Sequence, residues 1–154
     1  MKLLLPNDIA SRLRDAMQQA GKREIGGILM AEHTGEDEFR IIEVTIQTRG
    51  GTFASFIRLV EEFIRPLRQF FARTGHNYRR FNYLGEWHSH HSFALQPSPE
   101  DEKSMRDIVD DPDVGANFVI LLLVRLAQQD LQGSVTVYLP DGATSSGELL
   151  IEAS

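Results

Sequence analysis

Gly85-Glu86-Trp87-His88-Ser89-His90-His91-Ser92-Phe93-Ala94-Leu95-Gln96-Pro97-Ser98-Pro99-Glu100-Asp101 is the stretch on which the reading of this chain turns. Its first part reads as the end of a strand that begins at Phe81, its last part as the start of a helix over Ser98 to Val109. His88 and His90 are two apart, and in an extended chain alternate side chains share a face. Their Cα atoms then stand about 6–7 Å apart, near enough for both imidazoles to reach one ion at about 2.0–2.1 Å. Ser98-Pro99-Glu100-Asp101 has an ordinary explanation. A serine cap, a proline at the first helical position and an acidic residue three after the cap resemble a capping box. Taken alone, the tetrad is a helix start. A helix that begins so soon after paired histidines also sets Asp101 beside them. Two histidines and one carboxylate leave a fourth tetrahedral position for water, which is the pattern of a catalytic zinc site.

Outward from this stretch, the chain alternates helical and extended patterns. Asn7 to Ala20 predicts a helix with Asn7 or Asp8 as cap, Ile9, Leu13 and Met17 on one stripe, and Gly21 as its stop. A strand is expected just after Glu24, through Ile25-Gly26-Gly27-Ile28-Leu29-Met30, whose glycines permit close backbone approach. The turn Thr34-Gly35-Glu36-Asp37 leads to a second strand over Phe39 to Gln47, and the two should form a hairpin. Arg49-Gly50-Gly51-Thr52 breaks the pattern, and Leu59 to Arg73 has helical spacing with Pro66 expected to kink or reset it. Beyond the central stretch, Ala116 to Arg125 and Leu131 to Tyr138 read as strands, Pro140 to Gly147 as a loose connection, and Glu148 to Glu152 as an edge strand or short final turn. This order predicts a single α/β domain over residues 1–154 with a central mixed sheet flanked by helices.

Composition narrows the function. A length of 154 residues suits one compact domain, and 42% apolar with 25% charged residues is ordinary for a globular protein. The net charge of -6 argues against a nucleic-acid binder held by phosphate contacts. Cysteine is absent, which removes thiol nucleophiles, Cys-zinc sites and disulfides together and fits a cytoplasmic location. The run Leu3-Leu4-Leu5 ends at Pro6, far short of a signal peptide, and no apolar run approaches the roughly 20 residues of a membrane span.

His-Ser-His, seven intervening residues and Ser-x-x-Asp resemble the metal signature of the JAMM (MPN/JAB) metallopeptidases. Glu24-Ile25-Gly26-Gly27 resembles the Glu-x-Gly-Gly context of the same family's catalytic glutamate. The resemblance implies a JAMM/MPN domain with a cytidine-deaminase-like fold. It implies one zinc ion held by His88, His90 and Asp101, Glu24 as the group that accepts and returns the proton, and Ser98 as a hydrogen-bond donor to the developing oxyanion. One position departs from the pattern: the proline usual after the second metal histidine is His91 here. That removes no ligand, and it predicts altered rate or substrate fit.

Other residues keep competing readings. Glu86 shares strand parity with His88 and His90, so local spacing alone leaves it as a rival to Glu24 for the base, or as a carboxylate behind the metal ligands. Trp87, on the opposite parity, is core. His33, His76 and His91 read as exposed histidines, and Arg65, Arg68, Arg73, Arg79 and Arg80 as a solvated basic face.

The resemblance implies hydrolysis of a peptide or isopeptide bond at the C-terminus of a ubiquitin-like protein, as deconjugation or precursor processing. The short length and the Gly85-Glu86-Trp87-His88-Ser89-His90 segment resemble stand-alone prokaryotic members of this family, some encoded beside E1- and E2-like enzymes in antiphage operons. The substrate tail would lie extended, adding a strand to an exposed sheet edge. Trimming of a sulfur-carrier protein and a non-catalytic scaffold are the alternatives. No nucleic-acid or membrane partner is expected.

Overall fold

A computed structural model describes residues 1–47, 56–90 and 94–153, with the backbone alone for residues 56–63. The elements in chain order are β1 (Lys2–Leu5), α1 (Asn7–Ala20), β2 (Gly26–Gly35), β3 (Glu38–Val44), α2 (Phe56–Arg73), β4 (Phe81–Ser89), α3 (Pro99–Asp110), β5 (Val119–Ala127), β6 (Asp130–Tyr138) and β7 (Thr144–Ile151). The seven strands form one mixed sheet in the order β1-β3-β2-β4-β5-β6-β7, which closes because β1 pairs in parallel with both β3 and β7.

The expected mixed sheet with flanking helices is present. Helix α1 turns Ile9, Ala10, Leu13, Met17 and Ala20 inward, as the stripe predicts. They meet Leu3 and Leu5 of β1, Leu29 of β2, Trp87 of β4, and Ile120 and Leu122 of β5 in the main core. On the other face, α3 places Met105, Ile108 and Val109 against Val119, Leu121, Leu123 and Tyr138. Phe70 of α2 packs on Ile28 and Met30. No helix among the described residues is long and apolar enough to cross a membrane.

Three expectations need correction. Helix α1 starts at Asn7 with Pro6 in the cap position and no side-chain cap, so neither Asn7 nor Asp8 caps it. Pro6 supplies the extended backbone angles of a cap residue and ends β1 in the same step. Pro66 does not reset α2: proline removes one backbone donor, and the helix continues past it to the Phe70 anchor on the sheet. The final strand begins at Thr144, inside the expected loose connection; Thr144 to Gly147 pair with β6 and Glu148 to Ile151 with β1. Pairing is one-sided along part of the sheet among the described residues: Ile41, Glu43 and Val44 of β3 pair only with β2, and Glu148 to Ile151 of β7 only with β1. The predicted hairpin of β2 and β3 is present, antiparallel, with register shifts between Met30 and Ala31 and between His33 and Gly35.

Candidate active site

Strand β4 carries the site between β2 and β5, with Gly26 opposite His88 on one side and Leu123 opposite it on the other. Opposite Leu29 and Met30 of β2, the register skips one residue of β4, from Gly85 to Tyr83. Gly85 sits at this bulge with φ +152, a region that favours glycine, and a built Cβ would overlap the Ile120 backbone. The bulge changes which face the strand presents. Leu84 and Trp87, three apart, both join the α1 core, while Glu86 and His88 turn to the face where α3 begins.

The chain stays extended past the end of β4, since the His90 amide donates to the Val124 carbonyl at 2.8 Å. His88 and His90 therefore share a face, as their spacing predicts, and both are buried. Asp101 meets both rings. His88 Nδ1 lies 2.9 Å from Asp101 Oδ1 and His90 Nε2 lies 3.2 Å from Asp101 Oδ2.

The ordinary reading of the tetrad also holds. Ser98 caps α3, its Oγ accepting the Asp101 amide at 3.1 Å while Asp101 Oδ2 accepts the Ser98 amide at 2.9 Å. The capping box thus aims the carboxylate at the histidines. Ser98 Oγ accepts in the cap, and its hydroxyl also hydrogen-bonds the Asp101 carboxylate.

The charges follow from this packing. Burial by itself lowers the His88 pKa, but hydrogen bonds to Asp101 and Glu86 outweigh it and raise the pKa to about 9. Burial likewise favours a protonated Asp101, yet the bonds from His88 and Ser98 prevail and hold it at about 2. His88 and Asp101 are thus a close pair of opposite charges.

His88, His90, Ser98 and Asp101 line a cavity of about 620 Å³ together with Glu24, Ile25, Ala94, Gln96, Pro99, Glu100 and Ser104. Glu24 thus stands on the same cavity as the cluster. Glu86 lies behind His88, 1% exposed, its Oε2 2.8 Å from His88 Nε2. It does not line the cavity, whereas Glu24 does.

Ser89, between the histidines, had no role in the sequence reading. Its buried Oγ accepts the Ile25 amide at 2.9 Å and its own amide donates to the Ile25 carbonyl at 2.9 Å. This double bond to the residue after Glu24 ties the two distant motifs together. A hydroxyl on the opposite face from two paired histidines was the available signal. Trp87 is core, as expected, and its indole donates to the Thr45 carbonyl at 2.8 Å. Arg73 pairs with Glu43, and Arg80 reaches Glu32 at 3.4 Å while remaining largely exposed, in keeping with a solvated basic face. His91, the segment Arg49 to Thr52, and Ser92 and Phe93 lie outside the described residues.

The donor set suits a zinc ion by its chemistry: two imidazole nitrogens and one carboxylate, buried at one end of an open cavity. Among the described residues, no three such side chains already stand at the mutual spacing of a bound ion's ligands. The two rings and Asp101 bond to one another.

A family model described as prokaryotic homologs of the JAB domain matches residues 6–136, which include Glu24, His88, His90, Ser98 and Asp101. The solution structure of protein DSY2949 from Desulfitobacterium hafniense is similar in fold, with TM-score 0.70, 17% identity, and coverage of 99% of this chain and 94% of that one. A search of curated proteins finds no match.

Proposed function

The chain belongs to the family of prokaryotic homologs of the JAB domain, and from that premise we propose that it is a zinc-dependent peptidase. Its substrate would be a peptide or isopeptide bond at the C-terminus of a ubiquitin-like protein. The observation that carries this reading is the cluster of His88, His90 and Asp101 opening on a cavity that Glu24 and Ser98 also line. Two neutral nitrogens and one carboxylate would hold the ion by His88, His90 and Asp101. Bound zinc supplies Lewis acidity that polarises a carbonyl and makes water a nucleophile near neutral pH.

The protein's own groups do the rest. Glu24, on the cavity wall, takes the proton from the attacking water and returns it to the leaving amine. Ser98 donates its hydroxyl proton to the oxygen that gains charge, a contact of a kind worth about 3–4 kcal/mol in other hydrolases. A cavity of about 620 Å³ fits a few residues of extended chain and excludes a folded domain, which suits a modifier's free tail. The tail would lie extended along the cavity. E1- and E2-like proteins that attach such a modifier are the partners this reading implies. Trimming of a sulfur-carrier tail would use the same residues and differ only in substrate.

The test is cleavage of a ubiquitin-like protein carrying a C-terminal extension, with zinc supplied. Glu24→Gln is expected to keep its zinc and lose at least about 100-fold in rate, the scale of a lost general base. An active Glu24→Gln protein would transfer the base role elsewhere, and an inert wild type with full zinc would favour a scaffold.

A further inference from the structure

Glu86 is a carboxylate where the fold offers an apolar site. Its neighbours across the sheet are Ile28 of β2 and Leu121 of β5, both buried. A carboxylate there is costly unless a hydrogen bond compensates it, and an aliphatic side chain would suit the position better for packing. Its bond is to His88 Nε2 at 2.8 Å. The far nitrogen of His90 is also held, since Nδ1 faces the Ala94 carbonyl at 3.4 Å. Each histidine of the cluster therefore turns one nitrogen to Asp101 and the other to a fixed oxygen acceptor, but the two rings do so in opposite senses. His88 presents Nδ1 to Asp101, and His90 presents Nε2.

We propose that Glu86 is a positioning residue that holds the Nε2–H of His88, so that His88 offers Nδ1 and His90 offers Nε2 to a shared metal ion. This rests on the zinc site proposed above. A ring that donates one N–H to a carboxylate is fixed in orientation and made a more basic ligand through its other nitrogen, and loss of such a partner typically weakens metal binding about 10–100-fold. The Ala94 carbonyl does the same for His90 through a longer contact. Glu86 is thereby assigned apart from Glu24: it acts through His88 and touches no substrate.

Two measurements test it. In ¹⁵N-histidine NMR spectra of the zinc-loaded protein, His88 is expected to carry its proton on Nε2 and bind through Nδ1, with His90 the reverse. Zinc affinity of Glu86→Gln, measured by competition with a chelator, is expected to fall about 10–100-fold with the unfolding temperature little changed. Ligation of both rings through Nε2, or a Glu86→Gln protein that binds zinc as tightly as wild type, would overturn the assignment. A wild type that takes up no zinc would sink the proposed function instead. The metal-free protein still tests Glu86 in that event, through a slowly exchanging His88 Nε2–H that Glu86→Gln should speed and that an unrelated carboxylate would leave unchanged.

Discussion

Asp101 Oδ2 is shared between the Ser98 amide and the His90 ring, and Oδ1 faces His88, so one side chain both starts a helix and joins two histidines. A capping-box reading of Ser98 to Asp101 and a metal-ligand reading do not compete, because the cap uses the geometry that aims the carboxylate. The pairing of His88 with His90 and the identity of Asp101 were legible from spacing alone. Ser89 was not, because its bonds to Ile25 depend on how β4 lies beside the start of β2, and spacing left Glu86 open between a base and a carboxylate behind the histidines, since register is a tertiary fact. The cluster also sets a pH dependence. The raised His88 pKa means that its contribution to the stability of the metal-free chain is fully present below 6.5 and is lost as pH rises through about 9. The depressed Asp101 pKa gives the opposite sign: its contribution is present above 3.8 and lost as pH falls through about 2. Chelator-treated protein is therefore expected to melt at a lower temperature at about pH 10 than at about pH 6. An unchanged melting temperature would show that His88 is not held between two carboxylates.

Strand β4 reads clearly as a strand in the sequence, yet its faces cannot be assigned by counting from Phe81. The bulge at Gly85 breaks the alternation, and only beyond it does parity place Trp87 in the core and His88 on the site face. Helix α1 was legible over its full length because its apolar stripe and Gly21 stop agree, whereas its start was misread because Pro6 gives the cap angles without a capping side chain. Strand β2 depends on close approach at Gly27. A Cβ there would overlap the Thr45 carbonyl and come within 2.7 Å of Thr45 Oγ1. Thr45 in turn binds the Ile28 amide at 2.9 Å and the Trp87 indole at 2.8 Å. Gly27→Ala is expected to cost about 1–3 kcal/mol in chemical denaturation, as overpacked sites do. A variant of wild-type stability would mean that β2 and β3 part at Thr45 without penalty.

At the scale of the whole molecule, closure of the sheet rests on four residues that composition hides. Strand β1 is too short, and too close to Pro6, to announce itself, and what makes it a strand is pairing with β3 and β7, distant in sequence. Leu3 and Leu5 are fully buried beneath α1. Loss of a buried leucine side chain costs about 2–5 kcal/mol, and small domains have about 5–15 kcal/mol in all. Removal of Met1 to Leu5 also uncovers the edges of β3 and β7. The truncated chain is expected to lose its cooperative thermal transition, or to self-associate on a sizing column. A monomer that melts like the full chain would show that β1 only decorates the sheet. The α/β class itself was legible because it needs only the alternation of element types; closure needs the partners.

The central claim is that His88, His90 and Asp101 form a zinc site, and metal content tests it most directly. Protein purified without chelator and measured by elemental analysis is predicted to carry close to one zinc per chain, with His88→Ala and Asp101→Ala proteins of native fold carrying almost none. Full zinc content in either folded variant, or none in the wild type after zinc is supplied, would contradict it.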